Sequence, residues 1–80
     1  MSSFNAGVIL WNQSKIPEAA VEFEKAVKAD PQMADAQYYY GMSLINAGKL
    51  PEAKAALQQY LKLAPTGQYA ETAKSVLGSI

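Results

Sequence analysis

The side chains that could carry chemistry in this 80-residue chain are limited, because the sequence contains no histidine and no cysteine. Histidine is the commonest general base near neutral pH, cysteine supplies the thiolate nucleophile, and both are leading transition-metal ligands. Glu18, Glu22 and Glu24 form the densest acidic group, and convergent carboxylates can perform general acid–base catalysis. On a helix, however, Glu18 and Glu22 lie one turn apart on a single face, with Lys15 and Lys25 close in sequence. This pattern predicts a solvated helix face, no catalytic residue and no enzyme activity.

Metals, cofactors and nucleic acids are also disfavoured by the residue types. Asp30 and Asp35 are placed as turn and helix-start residues rather than as a cation site. Gly48 and Gly67 are isolated glycines, without the spacing of a phosphate-binding loop. Seven lysines balance seven acidic residues and arginine is absent, so the chain has neither a guanidinium fork nor the basic excess that nucleic acids require. We expect no metal, no cofactor and no nucleic acid partner.

Membrane insertion is not expected either. No apolar stretch approaches the roughly 20 residues needed to cross a bilayer, and no signal-peptide pattern precedes the first helical pattern. The sequence therefore predicts a soluble chain, cytoplasmic by default.

The elements that must position these side chains follow from an internal repeat. Shifted by 34 residues, the chain matches itself at ten of 46 positions, including Lys15, Pro17, Glu18 and Ala19 against residues 49 and 51–53. A fixed period in this range is typical of stacked supersecondary units. We expect repeat one at about 2–33, repeat two at about 34–67 and a capping helix at about 68–79, together forming a single domain over residues 1–80.

Each unit carries two amphipathic stripes, which predict two helices. Pro17 and Pro51 fit the first turn of a helix, where a missing N–H loses no hydrogen bond, and Pro31 and Pro65 fit the position just after a helix. The predicted fold is all-α, with about five helices near 3–13, 17–29, 34–47, 51–63 and 68–79.

The residues at these positions resemble the tetratricopeptide repeat (TPR) family. The first unit has small residues at Gly7, Ala19 and Ala26, a bulky residue at Phe23 and a proline at Pro31, as the family pattern does. The second unit repeats the pattern with Gly41, Ala53, Leu57 and Pro65. Three positions of the repeat motif depart from the family pattern. Ser3 and Gln37 stand where the family often has tryptophan, Ala6 and Tyr40 where it prefers leucine, and Tyr60 where it has a small residue. The resemblance implies an α-solenoid of antiparallel helix pairs.

A second apolar stripe on the first helix of each unit indicates a binding surface. Phe4, Val8 and Trp11 are spaced at i, i+4 and i+7, and the corresponding residues one repeat later are Tyr38, Met42 and Ile45. In the family these positions line the concave groove in which peptides bind. Asn12 and Asn46 follow in each unit and could hydrogen-bond to a peptide backbone, whereas the alternative is that they face only water.

Two functions are compatible with this surface. In one, the domain binds a protein or peptide partner in a neutral, aromatic groove. In the other, the chain is a self-assembling fragment of a longer repeat scaffold. Its uncovered first helix then pairs with a second copy, giving a homodimer or a domain-swapped dimer, or with preceding repeats. The apolar start of the chain, with no capping repeat before it, favours a C-terminal piece of a longer repeat protein.

Overall fold

The structure, a computed structural model, describes residues 2–80 and contains five α-helices within them. The helices are α1 (Ser3–Asn12), α2 (Ile16–Ala29), α3 (Ala34–Asn46), α4 (Leu50–Leu63) and α5 (Ala70–Ser79). Helix α2 packs against α1 and α3, and α4 packs against α3 and α5. The odd-numbered helices therefore form one layer and the even-numbered helices the other, which confirms the predicted all-α solenoid of helix pairs.

The helix starts follow the sequence signals to within two residues. Helices α2 and α4 begin at Ile16 and Leu50, so Pro17 and Pro51 occupy the second helical position instead of the first. Both positions lack an intrahelical partner for the N–H group, so proline is tolerated at either. Helix α5 begins at Ala70 rather than at residue 68, because the preceding residues form turns.

Two turns of the same type connect the helices within each pair. Ser14 and Gly48, which are 34 residues apart, both have the left-handed backbone conformation, with φ of 64° and 79°. The N–H group of Lys15 donates to the Leu10 carbonyl and that of Lys49 to the Leu44 carbonyl, each at 2.8 Å. These bonds close the Schellman motif that ends a helix. The repeat in sequence is therefore also a repeat in backbone geometry.

Close packing within each pair depends on a glycine opposite a large side chain. A Cβ atom at Gly7 would lie 2.6 Å from Cε1 of Phe23, and one at Gly41 would lie 2.8 Å from Cγ of Leu57. Phe23 and Leu57 are fully buried. The two bulky residues of the family pattern therefore lie directly on the glycines of their own repeats.

The residue that departs most from the family pattern, Tyr60, is part of the core. Its side chain is 1% exposed and lies between α4 and α5, beside the small buried residues Ala70 and Ala73. The backbone N–H group of Tyr69 donates to the Tyr60 hydroxyl at 2.9 Å, so the buried oxygen has a partner. The tyrosine ring therefore fills the space between the helices while its hydroxyl orders the turn before α5.

Gln37, another departure from the pattern, also has a structural role. It is buried, and its Nε2 group donates to the carbonyl of Pro31 at 3.2 Å. This bond ties the start of α3 to the loop that follows α2.

Candidate protein-binding surface

Four aromatic residues connect α1, α3 and the start of α5, and we call them the aromatic strip: Phe4, Trp11, Tyr39 and Tyr69. The Tyr39 ring lies 6.0 Å from that of Phe4 and 5.5 Å from that of Trp11, both edge-on. On its other side, the Tyr39 ring lies 5.8 Å from that of Tyr69, and the two hydroxyl oxygens are 3.2 Å apart. All four side chains are half-buried. The strip therefore joins the first helices of successive units and keeps some apolar surface accessible.

Phe23 supports the strip from beneath. Its ring stacks on Tyr39 at 5.2 Å and also contacts Phe4 and Trp11, at 6.0 and 6.4 Å. Offset-stacked and edge-to-face aromatic pairs are each worth about 0.5–1.5 kcal/mol beyond the area they bury. Because Phe23 is fully buried, it connects the rings of Phe4, Trp11 and Tyr39 to the core.

Most residues of the predicted groove retain exposed surface. Phe4, Val8, Trp11, Met42 and Ile45 are half-buried, and Asn12 and Asn46 are exposed at the ends of their helices. Met42 and Ile45 also pack against the cluster between α3, α4 and α5. These side chains therefore combine packing with partial access to solvent.

Tyr38 departs from the expectation that it lines the groove. Its side chain is 9% exposed and belongs to the buried cluster with Leu57 and Tyr60. The ring is parallel to that of Tyr69, with centroids 4.2 Å apart, so Tyr69 covers one of its faces. Tyr38 is therefore a core residue and does not line the candidate binding surface.

The sequence pattern does not predict Tyr39 and Tyr69 as surface residues. Tyr39 is one residue beyond the i, i+4, i+7 stripe of α3, and Tyr69 precedes the last helix, where helical periodicity carries no information. The run of tyrosines at 38–40 was a signal that one helix presents aromatic rings in several directions. Which direction faces solvent depends on the neighbouring helices.

The hydroxyl of Tyr39 in the strip, like that of the buried Tyr38 beside it, has a raised pKa. The hydrogen bond with Tyr69, followed by burial, raises the pKa of Tyr39 from 10.0 to about 12. Burial, followed by the charges of Tyr69 and Tyr60, raises the pKa of Tyr38. A neutral hydroxyl can both donate and accept a hydrogen bond. The surface therefore offers apolar rings with neutral polar edges.

Comparison with known proteins identifies the class of this chain. The tetratricopeptide repeat family profile matches residues 4–68, so the chain belongs to this family, as the residue pattern predicted. Members of the family serve in protein–protein interaction, and the coarse function of the chain is that of an interaction module.

Two curated relatives share part of their length with this chain. A peroxisomal targeting signal receptor of Kluyveromyces lactis is 39% identical over 70 residues, covering 86% of this chain and 12% of the receptor. The transcriptional regulator HilA of Salmonella typhimurium is 38% identical over 60 residues, covering 75% of this chain and 11% of the regulator. The chain thus spans about one eighth or less of these relatives. No solved structure matches it.

Within residues 2–80, no helix is long and apolar enough to cross a membrane. The same residues contain no group of three or more acidic side chains placed to hold a metal ion.

Proposed function

We propose that this chain binds a protein or peptide partner on the surface formed by the aromatic strip and the adjacent Val8, Met42 and Ile45. The observation that carries the proposal is the half-buried aromatic strip, which runs across α1, α3 and the residue that precedes α5. Aromatic anchors with fixed orientations bind a partner at low cost in conformational entropy. The relative named as a receptor for a targeting signal is consistent with a recognition role.

The chemistry of the surface favours apolar anchors on the partner. The Tyr39 hydroxyl is neutral because its pKa is raised, and Met42 can adapt to different side-chain shapes because its thioether chain is flexible. Asn12 and Asn46 are exposed beside the strip and can pair with the backbone of an extended segment. A peptide with bulky apolar residues separated by polar ones fits this pattern.

A peptide-display selection against the chain, followed by titration of a selected peptide, tests the proposal. Trp11 is the single tryptophan, so its fluorescence reports on events at the strip. We expect Val8→Asp to weaken binding by about tenfold or more, because it places a charge on the contact surface. Met42→Ala should have a similar effect, because it removes an apolar anchor from that surface.

Leu50→Asp is the control for Val8→Asp. Leu50 is 41% exposed on α4, outside the strip, so an aspartate there leaves peptide affinity unchanged. Circular dichroism must show that all variants remain folded. Equal affinities for Val8→Asp, Met42→Ala and the unaltered chain would exclude the strip as the binding surface.

Self-association is the second candidate, and one observation favours it. Ile9 is 44% exposed on α1 and adjoins the half-buried Val8 and Leu10, so the first helix carries apolar surface that a second copy could cover. Sedimentation at increasing concentration tests for a dimer, and Ile9→Glu should return it to a monomer. Leu50→Glu, at a residue with 41% exposure on α4, serves as control. A monomer at millimolar concentration would contradict this candidate.

A further inference from the structure

A cleft of about 430 Å³ lies between α2, α3 and α4 and is separate from the aromatic strip. Its walls include Val21, Glu24, Tyr40, Leu44, Lys49 and Glu52. On α3, residues 40 and 44 are about half a helical turn away from the groove residues 42 and 45, at roughly 100° per residue, and Tyr39 lies between these two directions. The cleft and the proposed groove therefore use different faces of α3.

Two carboxylates from different helices act on the same tyrosine in this cleft. The Tyr40 hydroxyl donates to Oε2 of Glu24 at 3.1 Å, across the contact between α3 and α2. Burial, followed by this hydrogen bond and the charges of Glu24 and Glu52, raises the pKa of Tyr40. The hydroxyl is therefore neutral at physiological pH, and the negative charge of the cleft resides on the two carboxylates that flank it.

The cationic residues nearby leave part of this charge available. Lys28 lies 3.8 Å from Oε1 of Glu24, but its side chain is 76% exposed and can move away into solvent. Lys49 lines the cleft beside Glu52. Among residues 2–80 the ion pairs involve Glu22 and Glu24, and neither includes Glu52. The cleft thus combines apolar walls with two carboxylates from facing helices.

We propose that this cleft binds an arginine side chain, flanked by apolar residues, from a partner protein. A planar guanidinium group can lie against the Tyr40 ring and donate hydrogen bonds to both carboxylates, which the compact ammonium of lysine does less well. The apolar stem of the arginine packs along Val21 and Leu44. This recognition site is additional to the aromatic strip and does not depend on it.

Titration of ¹⁵N-labelled chain with the peptide acetyl-Ala-Leu-Arg-Leu-Ala-amide, observed by NMR, tests the proposal. We expect saturable shifts concentrated at residues 20–24, 40–47 and 49–52. The same peptide with citrulline in place of arginine keeps the shape and loses the charge, so its affinity should fall about tenfold. A lysine version should also bind more weakly than the arginine peptide.

Charge-neutral variants of the chain assign the roles of the two carboxylates. Glu24→Gln and Glu52→Gln should each weaken arginine-peptide binding by about fivefold, the upper end of the range for partly exposed ion pairs. Glu71→Gln, at an exposed position on α5, is the matched control and should leave affinity unchanged. Val8→Asp should also leave it unchanged, which separates this site from the proposed groove.

The outcomes that would overturn the proposal are specific. Equal affinity for the citrulline peptide would exclude recognition of the arginine charge in this cleft. Absence of saturation below about 5 mM would exclude it as well, because a dissociation constant of 5 mM corresponds to a binding free energy of only about −3 kcal/mol. Equal affinity for the lysine peptide would overturn the guanidinium assignment. Shifts confined to the aromatic strip would show that the peptide binds the other surface.

Discussion

At the scale of single residues, packing is controlled by which positions lack a side chain. Gly7 and Gly41 lie against Phe23 and Leu57, where an added Cβ would come within 2.6–2.8 Å of side-chain carbons. Real Cβ atoms do not approach other carbons so closely, so either the facing side chain or the helix would have to shift. Phe23 cannot move freely because it is fully buried and stacked on Tyr39.

We therefore expect Gly7→Ala and Gly41→Ala to destabilise the domain by about 1–3 kcal/mol through overpacking. Gly78→Ala is the control: it is also helical, but an added Cβ would meet nothing within 4 Å. There the gain in helix propensity should stabilise the fold by about 0.5–1 kcal/mol. Equilibrium urea denaturation of the three variants provides the measurement. Stabilisation by all three substitutions would contradict the packing described for Gly7 and Gly41.

At the scale of elements, the two turns within the helix pairs share one backbone geometry but differ in conformational strain. Gly48 adopts its left-handed conformation without steric penalty, whereas Ser14 adopts the same conformation with a Cβ atom. The hydrogen bonds of the two turns are alike in length. The first turn is therefore the strained member of the pair.

Ser14→Gly should stabilise the domain by about 0.5–1 kcal/mol, because relief of the left-handed strain exceeds the entropy that glycine adds to the unfolded chain. Gly48→Ser should cost a similar amount, and the double variant should return close to the stability of the unaltered chain, since the turns are separate. Thermal denaturation measures all three. A lower melting temperature for Ser14→Gly would show that the serine side chain contributes more than its strain costs.

At the scale of the whole molecule, aromatic residues link the two repeats and the last helix. Phe23 and Trp11 contact Tyr39, Tyr39 bonds to Tyr69, and Tyr69 stacks on Tyr38. In repeat proteins each unit is stabilised mainly by its neighbours, so contacts that cross from one unit to the next determine cooperativity. Tyr39 lies at the centre of these contacts, and its raised pKa keeps its hydroxyl protonated in the fold.

Folding stability should consequently decrease at alkaline pH. The folded-state pKa of Tyr39 is raised to about 12, whereas an unfolded tyrosine ionises near 10.0. Below pH 10 the hydroxyl is neutral in both states, so its contribution to the free energy of unfolding is fully present. Between about pH 10 and 12 the unfolded chain loses the proton while the folded chain keeps it, so the free energy of unfolding decreases. Denaturation curves followed by circular dichroism from pH 8 to 11.5 should show this loss.

Tyr39→Phe is the control for this pH effect. It removes one titrating group, so its stability should fall less steeply with pH, even if its stability at pH 8 is lower. An identical slope for Tyr39→Phe would exclude Tyr39 as a source of the pH dependence.

The linear sequence determined the architecture of this protein. The 34-residue period, the prolines at 17 and 51 and the helical spacing of apolar residues specify helix pairs, because helix starts and amphipathic faces are local properties. The absence of histidine and cysteine likewise limits the chemistry available to any fold of this chain. These features required no knowledge of which helices meet.

Only the tertiary structure decided which aromatic side chains are accessible. Tyr38 and Tyr39 are adjacent and chemically identical, yet Tyr69 and α4 cover Tyr38, whereas Tyr39 remains part of the half-exposed strip. The α2–α4 cleft likewise joins Glu24 and Glu52, which are distant in sequence. The period of a single helix gives the direction of each side chain, but its burial depends on the neighbouring helix that lies in that direction.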